Sequence, residues 1–222
     1  MSQVNARLVY RNALRAMKNA GINPATAILS QSFLRLEVLA STTRTNYQFG
    51  VLVNDAPNGA TQRPTEVRLA LQDAFYCGTV QCYLGLSTNS TDTDYAPITY
   101  PNPRLFSTAG AAQALNNFFN GTYSLTVNNR VITPSLPIMR HLEIPQTQQT
   151  VTPVATTIPL DQLSGGSMTS FACEPNWVLI GSKNNQLSIN LPNSIGTLQA
   201  SKSTIITFLL SGILAQNVTV VS

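Results

Sequence analysis

"NWVLIGSKNNQLSINLP", residues 176–192, carries the clearest strand signal in the chain. Trp177 and Leu179 sit two residues apart, as do Leu187, Ile189 and Leu191. A period of two puts such side chains on one face of an extended segment. "GSKNN" between the two runs reads as a turn, since Gly and Asn tolerate the backbone angles that turns need. The stretch is therefore expected to form a β-hairpin whose inward face is Trp177, Leu179, Leu187, Ile189 and Leu191. Trp177 is expected to be buried with Leu179, Leu187, Ile189 and Phe208.

The same period recurs on both sides. "FLRLEVLA" (33–40) places Leu34, Leu36 and Val38 on one face, with Arg35 and Glu37 on the other. "NYQFGVLVND" (46–55) aligns Tyr47, Phe49, Val51 and Val53. "TEVRLALQDAFYCGTVQCYLGLS" (65–87) gives one or two strands, and "IMRHLEIP" (138–145) another short one. "TYSLTVNNRVITP" (122–134) reads as a hairpin with Asn128–Asn129 at its tip. "TIITFLLSGILAQNVTVV" (204–221) is the most apolar run. Thr204, Thr207, Ser211, Gln216 and Asn217 interrupt it, so two buried strands around Ser211–Gly212, or one long kinked strand, fit better than a spanning helix of about 20 apolar residues.

Helical signals are few. Residues 3–20 read as an amphipathic helix stopped by "GINPAT" (21–26), where Gly21 suits the position just past a helix end and Pro24 follows. "TAGAAQALNNFF" (108–119) reads as a short inserted helix before the turn dipeptide Asn120–Gly121. The turn-rich "NDAPNGATQRP" (54–64), the polar "TNSTDTDYAPITYPNPR" (88–104) and residues 146–167 read as loops, the second of them exposed. Eight to ten short strands with turns between them, and no strand–helix alternation, indicate a mainly β protein. Wide loops between short strands favour an antiparallel β-sandwich of jelly-roll type, with the N-terminal helix outside the sandwich. The expected organisation is a basic helical arm over residues 1–26 and a single sandwich domain over residues 27–222.

Charge is scarce and unevenly placed. Charged residues are 10% of the 222, against roughly 25% in ordinary soluble domains. Asn, Gln, Ser and Thr replace them, giving a hydrogen-bonding surface with little repulsion between copies. That composition suits a subunit of an assembly, and an adhesive or secreted β protein can share it. The net charge is +4, and residues 1–44 hold Arg7, Arg11, Arg15, Lys18, Arg35 and Arg44 against the single acid Glu37. At ~100° per residue, Arg7, Arg11, Arg15 and Lys18 share a sector of about 80°, opposite Ala6, Val9, Ala13, Ala16, Met17 and Ala20, with Tyr10 beside them. These four cations are the candidate contacts to an anionic partner, either packaged nucleic acid or membrane lipid. The plain alternative is a solvated face on a packed helix.

Catalytic patterns are missing from the sequence. His141 is the sole histidine and stands in no nucleophile-elbow context. Among the nine acids only Asp92 and Asp94 of "TDTD" stand close together, and they match no calcium-loop spacing. Cys77, Cys82 and Cys173 have no paired spacing and read as buried apolar residues; five apart on one strand, Cys77 and Cys82 are expected on opposite faces. No phosphate-cradling glycine motif occurs. No secretory signal is expected from a basic, amphipathic beginning, so the N-x-[ST] triplets at Asn89, Asn120 and Asn217 are not read as glycosylation sites. The expectation is a non-enzyme without cofactor or metal.

A short amphipathic helix, about eight strands with wide polar loops and a charge-poor surface together resemble the jelly-roll capsid proteins of viruses. "PTEVRLALQDAF" (64–75), "NGTYSLTVNNRVITP" (120–134) and "PNWVLIGSKNNQLSINLP" (175–192) are similar to stretches of bacteriophage structural proteins. The resemblance implies a self-assembling, non-enzymatic capsid subunit of the virion, made in the host cytoplasm. Its partners would be copies of itself and other virion proteins, and its basic helix would face the genome, a membrane or a neighbouring subunit. The competing expectation is a carbohydrate- or surface-binding sandwich, an adhesin or fibre module, with Tyr95 and Tyr100 as the candidate sugar platform.

Overall fold

A computed structural model of the chain describes residues 3–56, 62–88, 95–98, 106, 108, 110–142 and 170–218, with the side chains of 3–9, 96, 174 and 175 outside that description. Among the described residues the order is α1 (Gln3–Asn19), β1 (Ile28–Leu39), β2 (Asn46–Gly50), β3 (Ala74–Ser87), β4 (Ala96–Ile98), α2 (Ala111–Phe119), β5 (Thr122–Val127), β6 (Arg130–Pro137), a single 3-10 turn (Ile138–His141), β7 (Phe171–Ile180), β8 (Asn185–Asn190) and β9 (Ser203–Gln216). The protein is mainly β. Its strands form two antiparallel sheets, one ordered β1-β9-β3-β4 with β7 also paired to β3, the other ordered β2-β8-β5-β6.

The inner faces of the two sheets share one core. Leu34, Leu36 and Val38 of β1, Tyr47 and Phe49 of β2, and Leu187 and Ile189 of β8 are all buried in it, as their alternation predicts. Trp177 is 1% exposed, packs in the same cluster as Leu179, Leu187, Ile189 and Phe208, and donates its indole N–H to Thr133 Oγ1 at 3.1 Å. Phe208 meets Phe49 and Tyr123 edge-on across the layers. One end of this core is closed by α2, through Ala111, Ala114, Leu115, Phe118 and Phe119.

Residues 176–192 do not form a hairpin. β7 pairs with β3 while β8 pairs with β2 and β5, so the chain arches from one sheet to the other. Both halves still turn the same apolar residues inward, because an arch between facing sheets buries the faces that a hairpin would align. Three further expectations are corrected. Val53 is exposed, because β2 stops at Gly50 and the chain turns. "IMRHLEIP" opens with the 3-10 turn instead of a strand. Tyr95 to Ile98 lie on β3 instead of in an exposed loop: Ile98 is buried, and Tyr95 O–H bonds with Thr207 Oγ1 at 2.6 Å. Gly85 permits this approach, since any Cβ there would collide with the Tyr95 ring.

Cys77 and Cys82 face the same core despite their odd spacing. Opposite the neighbours Ser211 and Gly212 of β9, β3 carries Cys77, Gly78 and Thr79, one residue too many. Such a β-bulge shifts the alternation by one, so Phe75 and Cys77 before it and Val80, Cys82 and Leu84 after it all point inward. β9 itself runs unbroken as one long strand, Ser203–Gln216, instead of two. The β5–β6 hairpin has Asn128 and Asn129 at φ 50° and 61°, the left-handed region in which Asn is tolerated.

Candidate functional site

The first helix is held against the outer face of the β1-β9-β3 sheet. Ala13 and Met17 bury against Ala74 and Tyr76 of β3, Ile180 of β7, and Ile213 and Ala215 of β9. Its end is fixed locally. Gly21 adopts φ 81°, Gly21 N–H donates to Lys18 C=O at 3.1 Å, and Ile22 N–H donates to Met17 C=O at 3.0 Å. This is the paired-bond helix stop in which the residue after the glycine packs on the last turn, as Ile22 does on Met17 within the same cluster. The expected apolar face is thus the docked one, and Tyr10 beside it stays 44% exposed.

Docking leaves Arg11, Arg15 and Lys18 exposed; the side chain of Arg7 lies outside the described residues. The stripe does not act as a unit. Of its described members, only Arg15 lines the cavity of about 860 Å³ between α1 and the edge of the sandwich. Lys18 stands in the last helical turn, where a cation is favoured by the helix dipole whatever else it does.

Two other cations meet Arg15 in this groove, and neither was singled out from the sequence. Arg130 begins β6 at the hairpin tip, and Lys183 sits in the arch between β7 and β8. Backbone bonds bring the two turns together: Asn128 N–H donates to Asn184 C=O at 2.7 Å, and the Asn185 side-chain amide donates to Ile180 C=O and Lys183 C=O at 2.9 and 2.8 Å. Asn12, Asn19, Asn128 and Asn176 add amide groups to the wall, and Val178 and Ile180 form part of it. The Asn176 side chain is held by a 3.0 Å bond from Tyr76 O–H. Among the described residues no acid lines the groove, and none of the three cations has an ion-pair partner. A concave site with three cations and amides that both donate and accept can hold phosphate groups and the polar edges attached to them. The sequence signal was present but diluted, since each turn, "NNR" and "GSKNN", carries a single cation among asparagines.

The other singled-out residues are structural or lie elsewhere. His141 is 1% exposed, with Nε2 at 3.1 Å from Tyr123 O–H. Burial pushes the Tyr123 hydroxyl far above its ordinary range, so it stays protonated. Tyr95 is packed over the sheet and cannot serve as a sugar platform; Tyr100, Asp92 and Asp94 fall outside the described residues. Cys77, Cys82 and Cys173 are all buried free thiols. Among the described residues no cluster of histidine, cysteine and acids could hold a metal, and no helix is long and apolar enough to cross a membrane.

No protein family, curated protein or solved structure matches the chain in comparison.

Proposed function

We propose that the protein is a non-enzymatic structural subunit of a virion shell, a jelly roll that assembles with copies of itself and takes the phosphates of packaged nucleic acid into the groove beside α1. The observation that carries this reading is the strand order. With β4 set aside, one sheet runs β1-β9-β3-β7 and faces β2-β8-β5-β6. Every connection among these eight strands changes sheet except β5–β6. Eight strands in two such sheets are the pattern of a double Greek key, which viral capsid domains share with lectins and cupins. The step from that pattern to a shell is analogy at the level of fold.

Two features of this chain favour the shell over the lectin. Tyr95, one of the two aromatics considered for a sugar platform, is tied down over the sheet by its bond to Thr207. Three cations without an ion-pair partner among the described residues, Arg15, Arg130 and Lys183, line one groove. A groove suits a strand of nucleic acid better than a lipid surface, which is broad and meets convex faces. Each subunit would bind weakly, and many copies on one polymer would multiply the effect.

Light scattering and negative-stain imaging of the purified chain, with and without single-stranded nucleic acid, test the proposal. Rings or closed particles are expected. A mass fixed at one subunit across a wide concentration range, with and without nucleic acid, would overturn it and favour the adhesive module.

A further inference from the structure

The core holds a pair of thiols poised to join. Cys77 Sγ and Cys173 Sγ stand 3.2 Å apart, on β3 and β7, which are neighbours in one sheet. Both are buried, and the third thiol, Cys82, is buried without a sulfur partner. A disulfide needs about 2.05 Å between sulfurs, so the pair must close by roughly 1.2 Å. The surrounding backbone can give this. The register of β3 with β7 breaks between Cys77 and Thr79, passing from Cys77↔Trp177 to Thr79↔Ala172, so Cys173 to Asn176 fall outside the regular ladder.

A cavity of about 400 Å³ is lined by Cys173, Arg140, Phe171, Tyr123 and Trp177. Cys77 is not part of that wall. Arg140 lies 4.7 Å over the Phe171 ring and brings a positive charge to the cavity wall.

We propose that Cys77 and Cys173 form a peroxide-responsive pair, in which Cys173 is oxidised through the cavity and Cys77 resolves it into an internal disulfide that staples β3 to β7. In the first step the Cys173 thiolate attacks one oxygen of a hydroperoxide. The O–O bond breaks, an S–O bond forms, and the second oxygen leaves as hydroxide or alkoxide, which takes up the proton shed by the thiol. In the second step the Cys77 sulfur attacks the sulfenic sulfur, the S–S bond forms, and the sulfenic oxygen leaves as water with the Cys77 proton. Two electrons pass from the two thiols to the peroxide. Burial, with Cys173 beside it, holds the Cys77 thiol well above its ordinary pKa; this slows the second step and leaves its product unchanged. The bond would join residues 96 apart, and cross-links across long loops constrain the unfolded chain most. A subunit made under reducing conditions would gain this staple once outside them.

The test uses the full chain, treated with a small excess of hydrogen peroxide. Thiols counted under denaturing conditions should fall from three to one, and the intact mass should fall by two hydrogen atoms. Peptide mapping should join Cys77 to Cys173, and the melting temperature should rise by about 5–10 °C, reversibly with a phosphine reductant. Cys82→Ala should behave like the parent, while Cys77→Ser and Cys173→Ser should lose the cross-link. Three intact thiols, sulfinic acid on an unlinked Cys173, or a link through Cys82 or a second molecule would each overturn the proposal. The decisive readings come from the unmodified chain, so they stand even where a serine variant folds poorly.

Discussion

The outer face of the β1-β9-β3 sheet is covered twice, and the two coverings use charge in opposite ways. At one end, residues 63–68 and Tyr95 lie over Glu37, Thr207 and Tyr83, which share one row of the sheet. Here every described acid is spoken for. Glu37 accepts from Arg35 Nε at 2.6 Å, Arg63 Nε at 2.8 Å and Thr65 Oγ1 at 2.6 Å. Glu66 accepts from the backbone of Glu37 and Arg63 at 2.9 and 2.7 Å, and takes a two-point contact from Arg68 at 2.9 and 3.3 Å. Arg35 also lies 4.2 Å over the Tyr95 ring. At the other end α1 docks through Ala13 and Met17, and Arg15 beside it faces a groove lined by no acid among the described residues. The difference teaches that the charge shortage is not uniform. Arginines at the first end are tied into ion pairs with buried acids, and those at the second end have no ion-pair partner among the described residues.

The largest expected effect is at the paired end. Glu37→Ala breaks the buried pair with Arg63 and removes three hydrogen bonds at once, so urea unfolding should show a loss of ~3–5 kcal/mol. Next comes alkaline pH. Tyr95 and Tyr83 are both shifted upward chiefly by burial. A raised folded-state pKa means the protonated form favours the fold. Their contribution is therefore complete below the ordinary tyrosine value of ~10 and is lost as pH rises through the folded values. Circular dichroism followed upward in pH should stay level to about pH 10 and then fall cooperatively. Tyr95→Phe should cost about 1 kcal/mol at neutral pH, through its lost bond to Thr207. Smallest of all is the groove. Arg15→Gln, Arg130→Gln and Lys183→Gln combined should move stability by no more than ~0.5 kcal/mol, the usual range for surface changes, since none has an ion-pair partner among the described residues. A large loss there would erase the contrast between the two ends.

What the sequence made legible follows from periodicity. Alternation named the buried faces of β1, β2 and β8, and Gly21 and the Asn128–Asn129 pair marked a helix stop and a hairpin tip. Alternation reports which face is buried and says nothing of which strand lies alongside, so the arch at 181–184 looked like a hairpin. It also assumes an unbroken strand, which is why Gly78 upset the reading of Cys77 and Cys82. The groove was half visible. Arg15 stood out within a helical stripe, whereas Arg130 and Lys183 are 53 residues apart (183 − 130) and meet only because Asn128 bonds to Asn184. The same distance effect hid the Glu37–Arg63 pair, which looked like an isolated strand acid and a loop cation.

The claim that the groove cations serve a phosphate-bearing strand is tested most directly by the salt dependence of binding. Fluorescence anisotropy of a labelled single-stranded oligonucleotide would be titrated with the parent chain, with the triple variant Arg15→Gln/Arg130→Gln/Lys183→Gln, and with Arg11→Gln, over a series of salt concentrations. Each phosphate contact on a single strand contributes about 0.7 to the slope of log affinity against log salt. The triple variant should bind more weakly with a slope flatter by about 2, while Arg11→Gln, whose side chain is exposed outside the groove, should change little. Equal slopes for the parent and the triple variant would contradict the account. So would a parent chain that binds only anionic vesicles and no oligonucleotide.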